Sequence, residues 1–170
     1  MATKIVSLAF TSFLGAIFLL PASIYAPRVI TPLALLVGKA FDNGSWFGGI
    51  GQALFFSFIA YLTIFITLHT LIGISFRFIY SSIQAHGSQL NRVETILYSA
   101  LSSSGSYLLV MSFWLFSASL NTNAPNYLSR NLSWLIPEAL IGLPFAILSG
   151  AAGGWLIVRW RTKVRKARSS

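Results

Sequence analysis

Six side chains carry types that could do chemistry in surroundings that offer little else: Ser12, His69, Ser102, Ser103, Ser106 and Ser149. Histidine changes charge near neutral pH, and a serine hydroxyl can donate to or accept from either ring nitrogen. All six lie inside long apolar stretches. At ~1.5 Å per helical residue, counted from the stretch ends that carry the basic residues, Ser12 and His69 are about 10 Å deep. On the same count Ser102 to Ser106 begin about 10 Å in, and Ser149 lies about 12–14 Å in. Helices carrying them would place one polar layer across the bundle.

That layer has two readings. It is a polar pocket or proton-handling site, since a histidine in hydrocarbon needs hydrogen-bond partners. Or it is packing, with hydroxyls joining helices at roughly 0.6 kcal/mol each. Packing is the plainer reading, and His69 is what keeps the other open. A serine and a histidine on adjacent helices also suggest the nucleophile–base pair of an intramembrane serine hydrolase. Gly105-Ser106 lacks the second glycine expected around such a nucleophile, and nothing supplies an oxyanion hole. No catalytic residue is assigned.

Glu138 is the second candidate. It falls about 6 Å from the far end of its stretch by the same count, some 15–20 Å from His69 along the bundle. Its simple role is that of a first-turn carboxylate favoured by the helix dipole. Its sharper role is a cation or proton site in an outer vestibule, with Arg130 or Lys39 as partner. Only His69 of the two histidines is in an apolar stretch, so paired axial ligation of haem is not expected. Three acidic residues and two histidines scattered along the chain make no metal site. The absence of cysteine removes thiolate chemistry. No cofactor is predicted, and bound lipid is.

The elements that hold these residues follow from composition. The chain of 170 residues is 55% hydrophobic and 9% charged, with mean hydropathy +0.74, where a soluble domain has roughly a quarter of its residues charged. The pattern predicts an all-α integral membrane protein of one domain, 1–158. Four spans are expected at about 5–25, 52–78, 95–120 and 134–158, each near or above the ~20 residues needed to cross ~30 Å of hydrocarbon. The first resembles a signal peptide. Cleavage is not expected, because Ile24 and Pro27 surround the best site. Thr31-Pro32 reads as the start of a short helix over about 32–41, interfacial or re-entrant, before the second span. Asn91 and Glu94 have capping-box spacing before the third.

On the fourth stretch Gly142, Ala146, Gly150 and Gly154 recur at fourth positions and share one face, with Glu138 at its head. Such a seam lets another helix come close. Residues 159–170 form a basic tail, with Arg159, Arg161, Lys163, Arg165 and Lys166 placed to meet anionic lipid headgroups. The net charge of +9 has that origin, and no nucleic-acid partner is expected. With both termini cytoplasmic, nine Lys and Arg residues lie inside and three outside, which selects that orientation. The two sequons at Asn43 and Asn131 then fall outside, and such matches arise by chance in a Ser-rich chain.

The leading functional expectation is a non-enzymatic subunit or accessory protein of a larger membrane complex. Its partners would be membrane lipids and other integral membrane subunits, met through the small-residue face of the fourth helix. The alternatives are a small transporter or channel component using the polar layer and Glu138, and the serine hydrolase.

Overall fold

The computed structural model describes residues 2–40, 46–84, 89–120 and 127–168, apart from the side chains at 46–48, 127–131, 134 and 165–168. These residues form four helices and no strand: α1 (Ala2–Ala40), α2 (Trp46–Ile83), α3 (Arg92–Leu120) and α4 (Tyr127–Arg168). Each is long and apolar enough to cross a membrane. Leu-, Ile- and Phe-rich runs with Ser and Gly interspersed give no polar break at which a helix would stop. α3 starts where expected. The Asn91 Oδ1 accepts from the Glu94 N–H at 2.7 Å, and the Asn91 N–H donates to Glu94 Oε2 at 3.1 Å, a reciprocal cap.

The separate helix expected over 32–41 is not formed. Residues 32–40 are the last turns of α1, which runs unbroken through Pro21, Pro27 and Pro32. Each proline removes one backbone donor from its helix, and the residues around it keep the remainder. Among apolar side chains, a carbonyl freed in this way does better inside a nearly intact helix than in an open turn. The Ser23 hydroxyl bonds within the same helix, donating to the Leu20 carbonyl at 2.7 Å. As helices, α1, α2 and α4 run beyond both ends of the stretches 5–25, 52–78 and 134–158, α3 ends at Leu120 as expected, and α4 carries the basic stretch on as helix to Arg168.

α2 and α3 each touch every other helix, whereas α1 and α4 do not touch. The bundle is therefore a rhombus whose short diagonal is α2–α3. α1 and α3 run parallel at an almost constant offset: Lys4 meets Glu94, Ser12 meets the Ser102 carbonyl, and Ser23 meets Trp114. α2 is antiparallel to α3, with His69 beside Ser103 and Ser99 on the Gly73 carbonyl. α4 is also antiparallel to α3, with Gly142 facing Tyr107, Gly150 facing Ser99 and Ser103, and Gly154 facing Ile96. The start of α1 and the end of α4 thus share one end of the bundle.

Two apolar clusters bracket the interior. One holds Leu19, Ile72 and Val110, the other Phe76, Tyr80 and Leu90. Between them the buried side chains are mostly small or polar: Thr11, Ser12, Ser99, Ser102, Ser103 and Ser106, with Ala146. The large apolar side chains are outside, among them Phe18, Leu54, Phe58, Leu140 and Leu148. This inverts the pattern of a water-soluble bundle, in which the apolar stripe faces inward.

Candidate functional site: a serine-rich layer around His69

α3 is the hub of the layer. Ser102 and Ser106 are one turn apart on its side toward α1, and Ser99 and Ser103 are one turn apart on the side toward α2 and α4. The Ser106 hydroxyl donates to the carbonyls of Ser12 and Ser102, both at 2.9 Å. Ser12 returns a bond to the Ser102 carbonyl at 3.3 Å. On the other side Ser99 donates to the Gly73 carbonyl at 2.7 Å. His69 Nδ1 and Ser103 Oγ are 2.7 Å apart, and both side chains are 0% exposed.

The His69 ring packs on Phe65 at 4.2 Å between centroids and on Tyr107 at 5.8 Å. Its Nε2 is buried with no hydrogen-bond partner among the described residues, as are the hydroxyls of Ser7 and Ser102. The expected layer is therefore assembled from α1, α2 and α3, and Ser149 is buried beside it on α4. Chemically it is mostly self-satisfied, with His69 Nε2 and the Ser102 hydroxyl left over. The hydroxyls of Ser12, Ser99 and Ser106 are spent on neighbouring carbonyls, and the histidine is walled by aromatic rings. Ser106 does not meet His69, so the pair suggested by Gly105-Ser106 is not made. The serine that meets the ring is Ser103, with no exposed surface for a substrate to reach.

The small-residue seam does act in close packing, but within the chain. A Cβ on Gly150 would stand 2.7 Å from the Ser99 carbonyl oxygen, and one on Gly154 would stand 2.8 Å from Ile96 Cα. Gly142 lies under the Tyr107 ring, and Ala146 is wholly buried. α3 fills the face that was expected to receive another subunit, because Ser99, Ala100 and Ser103 leave α3 equally slim there. Glu138 stands at the far end of α4. Its backbone carbonyl accepts from the Tyr107 hydroxyl at 3.0 Å, while its side chain is exposed. Lys39 forms no ion pair with it, the sole ion pair among the described residues being Lys4–Glu94. Arg130, its other expected partner, lies outside the described side chains, as do Arg165 and Lys166 of the tail. Arg159 lies over the Trp155 ring at 5.1 Å, and Arg161 and Lys163 are exposed.

Four contributors escaped the sequence reading as site residues: Ser99, Gly15, Gly73 and Gly153. Gly15 lies under Ser106, and Gly153 against the Thr70 carbonyl. The signal for Ser99 was its four-residue spacing to Ser103. For Gly73 it was the stripe His69, Gly73, Arg77, which is buried throughout. Comparison of the chain with protein-family models, curated proteins and solved structures gives no match.

Proposed function

We propose that this is a multi-pass integral membrane protein with both termini cytoplasmic, acting as a non-enzymatic subunit of a larger membrane complex. The inside-out distribution of side chains supports the membrane part. Serines and glycines are buried while Phe, Leu and Ile face out, as a lipid environment requires.

One observation carries the complex part. On α1, large apolar side chains are exposed from Ile5 (58%) to Leu36 (63%), a run of about 46 Å along the helix at ~1.5 Å per residue. The hydrocarbon core is ~30 Å thick, and transmembrane helices tilt by ~20° on average. Burying the whole run in lipid would need a tilt near 50°, beyond the ~40° upper range. The surplus, Val29 to Leu36, runs alongside α2, whose Leu54, Phe55 and Phe58 are exposed as well. A second integral membrane chain covering this hairpin removes the surplus from water. The docking face is thus the α1–α2 hairpin, since the seam of α4 is already filled.

A photo-crosslinking residue at Leu36, in membranes of the producing cell, tests this. A discrete higher-mass adduct containing a different membrane protein is expected there, and none from a probe at Leu148. Adducts to lipid alone at Leu36 would remove the complex from the reading.

A second reading is a small transporter or channel component. The buried unpartnered atoms His69 Nε2, Ser7 Oγ and Ser102 Oγ support it, because a polar path needs such groups. It requires water to reach the layer. Single cysteines at Ser103 and Glu138 in this cysteine-free chain would then both react with a water-borne thiol reagent. Reaction at Glu138 only would leave the layer as packing.

A further inference from the structure

Arg77 sits one turn beyond Gly73 on the buried stripe of α2, close to the end of that helix and 7% exposed. Its Nε and Nη1 are buried with no hydrogen-bond partner among the described residues. Beside it are the Tyr80 ring, 5.7 Å from the guanidinium carbon, and Phe76, both fully buried. α4 packs alongside α2, with Gly150 against Gly73 and Gly153 against Thr70, and further toward the same end it carries Arg161, exposed and of the same charge. Neither acidic side chain among the described residues meets it: Glu94 is held by Lys4, and Glu138 is at the opposite end of α4, while Asp42 lies outside the described residues.

A buried guanidinium is normally matched by a carboxylate, and leaving it unmatched is costly. A second arginine further out on the neighbouring helix makes the local field more positive still. The group that satisfies this arrangement is an anion with several planar-accessible acceptor oxygens, which a guanidinium grips with two parallel bonds. Arg77 also lies three residues before Tyr80, where the apolar run of α2 gives way to Ser81 and Ser82; on the membrane reading this is near the headgroup level.

We propose that Arg77 and Arg161 form a binding site for a phosphate group at the seam between α2 and α4, taken from a lipid headgroup or from a soluble phosphate. Arg77 supplies the buried fork, and Arg161 closes over the anion from the surface. Lys163, exposed two residues beyond Arg161, adds positive charge without being part of the site. The lipid source rests on the membrane reading above, whereas the soluble source does not. Neither depends on whether a partner chain covers the α1–α2 hairpin.

The test uses the full chain in a neutral detergent, with native mass spectrometry and thermal melting as readouts. Wild type is expected to retain one phosphatidylglycerol and to prefer it to phosphatidylcholine by tenfold or more. Arg77→Gln and Arg161→Gln should each lower that affinity at least tenfold, and Lys163→Gln less than twofold. Inorganic phosphate at millimolar concentration that raises the melting temperature of wild type, and not of Arg77→Gln, marks the soluble source. Lipid retention without that response marks the headgroup. Arg161 is on the surface, so its variant folds even where Arg77→Gln does not. Equal weakening by Arg161→Gln and Lys163→Gln would overturn the site, leaving only a diffuse basic surface. The absence of both a lipid preference and a phosphate response in wild type would overturn it outright.

Discussion

Gly73 of α2 and Gly150 of α4 face each other so closely that a Cβ on Gly73 would run into the Gly150 carbonyl. Gly150 meets Ser103 and Ser99 of α3 on its other side. Three helix backbones therefore converge at one glycine. Without a water-driven hydrophobic effect to hold helices together, this closeness is the main source of attraction available, through dispersion and hydroxyl–carbonyl bonds. The chemistry-bearing residues of the layer are what such an approach needs: short side chains, each with one hydrogen bond to give.

Gly73→Ala should therefore destabilise the bundle. The obstructing atom is backbone and cannot rotate away, so a cost of about 1–3 kcal/mol is expected, the usual range for overpacking. Gly51→Ala is the matched control on the same helix, because nothing lies within 4 Å of a Cβ there. It should be neutral or stabilising by up to about 1 kcal/mol, from helix propensity alone. Melting followed by tryptophan fluorescence in detergent separates the two. Equal melting temperatures would mean that α2 and α4 stand further apart.

The His69–Ser103 contact predicts an asymmetry between single variants. Ser103→Ala leaves both ring nitrogens buried without a partner and should cost about 1–3 kcal/mol. His69→Phe keeps the ring volume, and the freed Ser103 hydroxyl can turn to a carbonyl of its own helix. It should cost less. Adding His69→Phe to Ser103→Ala should recover part of the loss, with a coupling of roughly 0.6 to 1.7 kcal/mol, the measured span for such bonds in membranes. A cycle with no coupling would show that the two groups do not bond.

At the end of the bundle near the tail, Glu94 does two jobs. It pairs with Lys4 across the α1–α3 contact and completes the cap of α3 with Asn91. Lys4→Ala removes the pair only, and Glu94→Ala removes the pair and one arm of the cap. The melting temperature should fall further for Glu94→Ala than for Lys4→Ala, with Glu94→Gln between them because an amide oxygen can still cap. High salt should shrink the Lys4→Ala effect and leave the capping part in place. Equal drops for Lys4→Ala and Glu94→Ala would assign Glu94 to the ion pair alone.

What the sequence revealed of this molecule was its local content. The four apolar stretches, the Asn91–Glu94 cap and the shared level of Ser12, His69, Ser102, Ser103 and Ser106 all follow from hydropathy, spacing and rise per residue. The fourth-position rhythm of Gly142, Ala146, Gly150 and Gly154 likewise identified a close-packing face. The partner of that face was not legible, since spacing on one helix cannot say whether Ser99 and Ser103 or another chain lies opposite. Register between helices is set by many weak contacts, and none leaves a mark in one stretch of sequence. Arg77 illustrates the same limit. Its place on the stripe of His69 and Gly73 was visible, but its lack of an acceptor depends on where α3 and α4 lie.

The last turns of α1 show where local signals misled. Thr31-Pro32 reads as a cap and first-turn proline, and in water that reading would have force. In the structure Pro32 is interior to α1, Thr31 Oγ1 lies 3.3 Å from the Tyr61 hydroxyl of α2, and Gly38 packs on Gly49 and Ala53. Contacts with α2 on both sides of the proline hold the helix straight on past it. The two arrangements predict opposite signs for Pro32→Ala. At the first turn of a separate helix proline is favourable, so its loss would be neutral or destabilising. Within a continuous α1 the new N–H can reach the Arg28 carbonyl, and the variant should be more stable. The gain should fall short of the ~3 kcal/mol that an interior proline costs a water-exposed helix, because apolar surroundings already keep the chain helical. A rise in melting temperature is the expected result. A fall would restore the break between residues 31 and 32, and with it a shorter apolar run on α1.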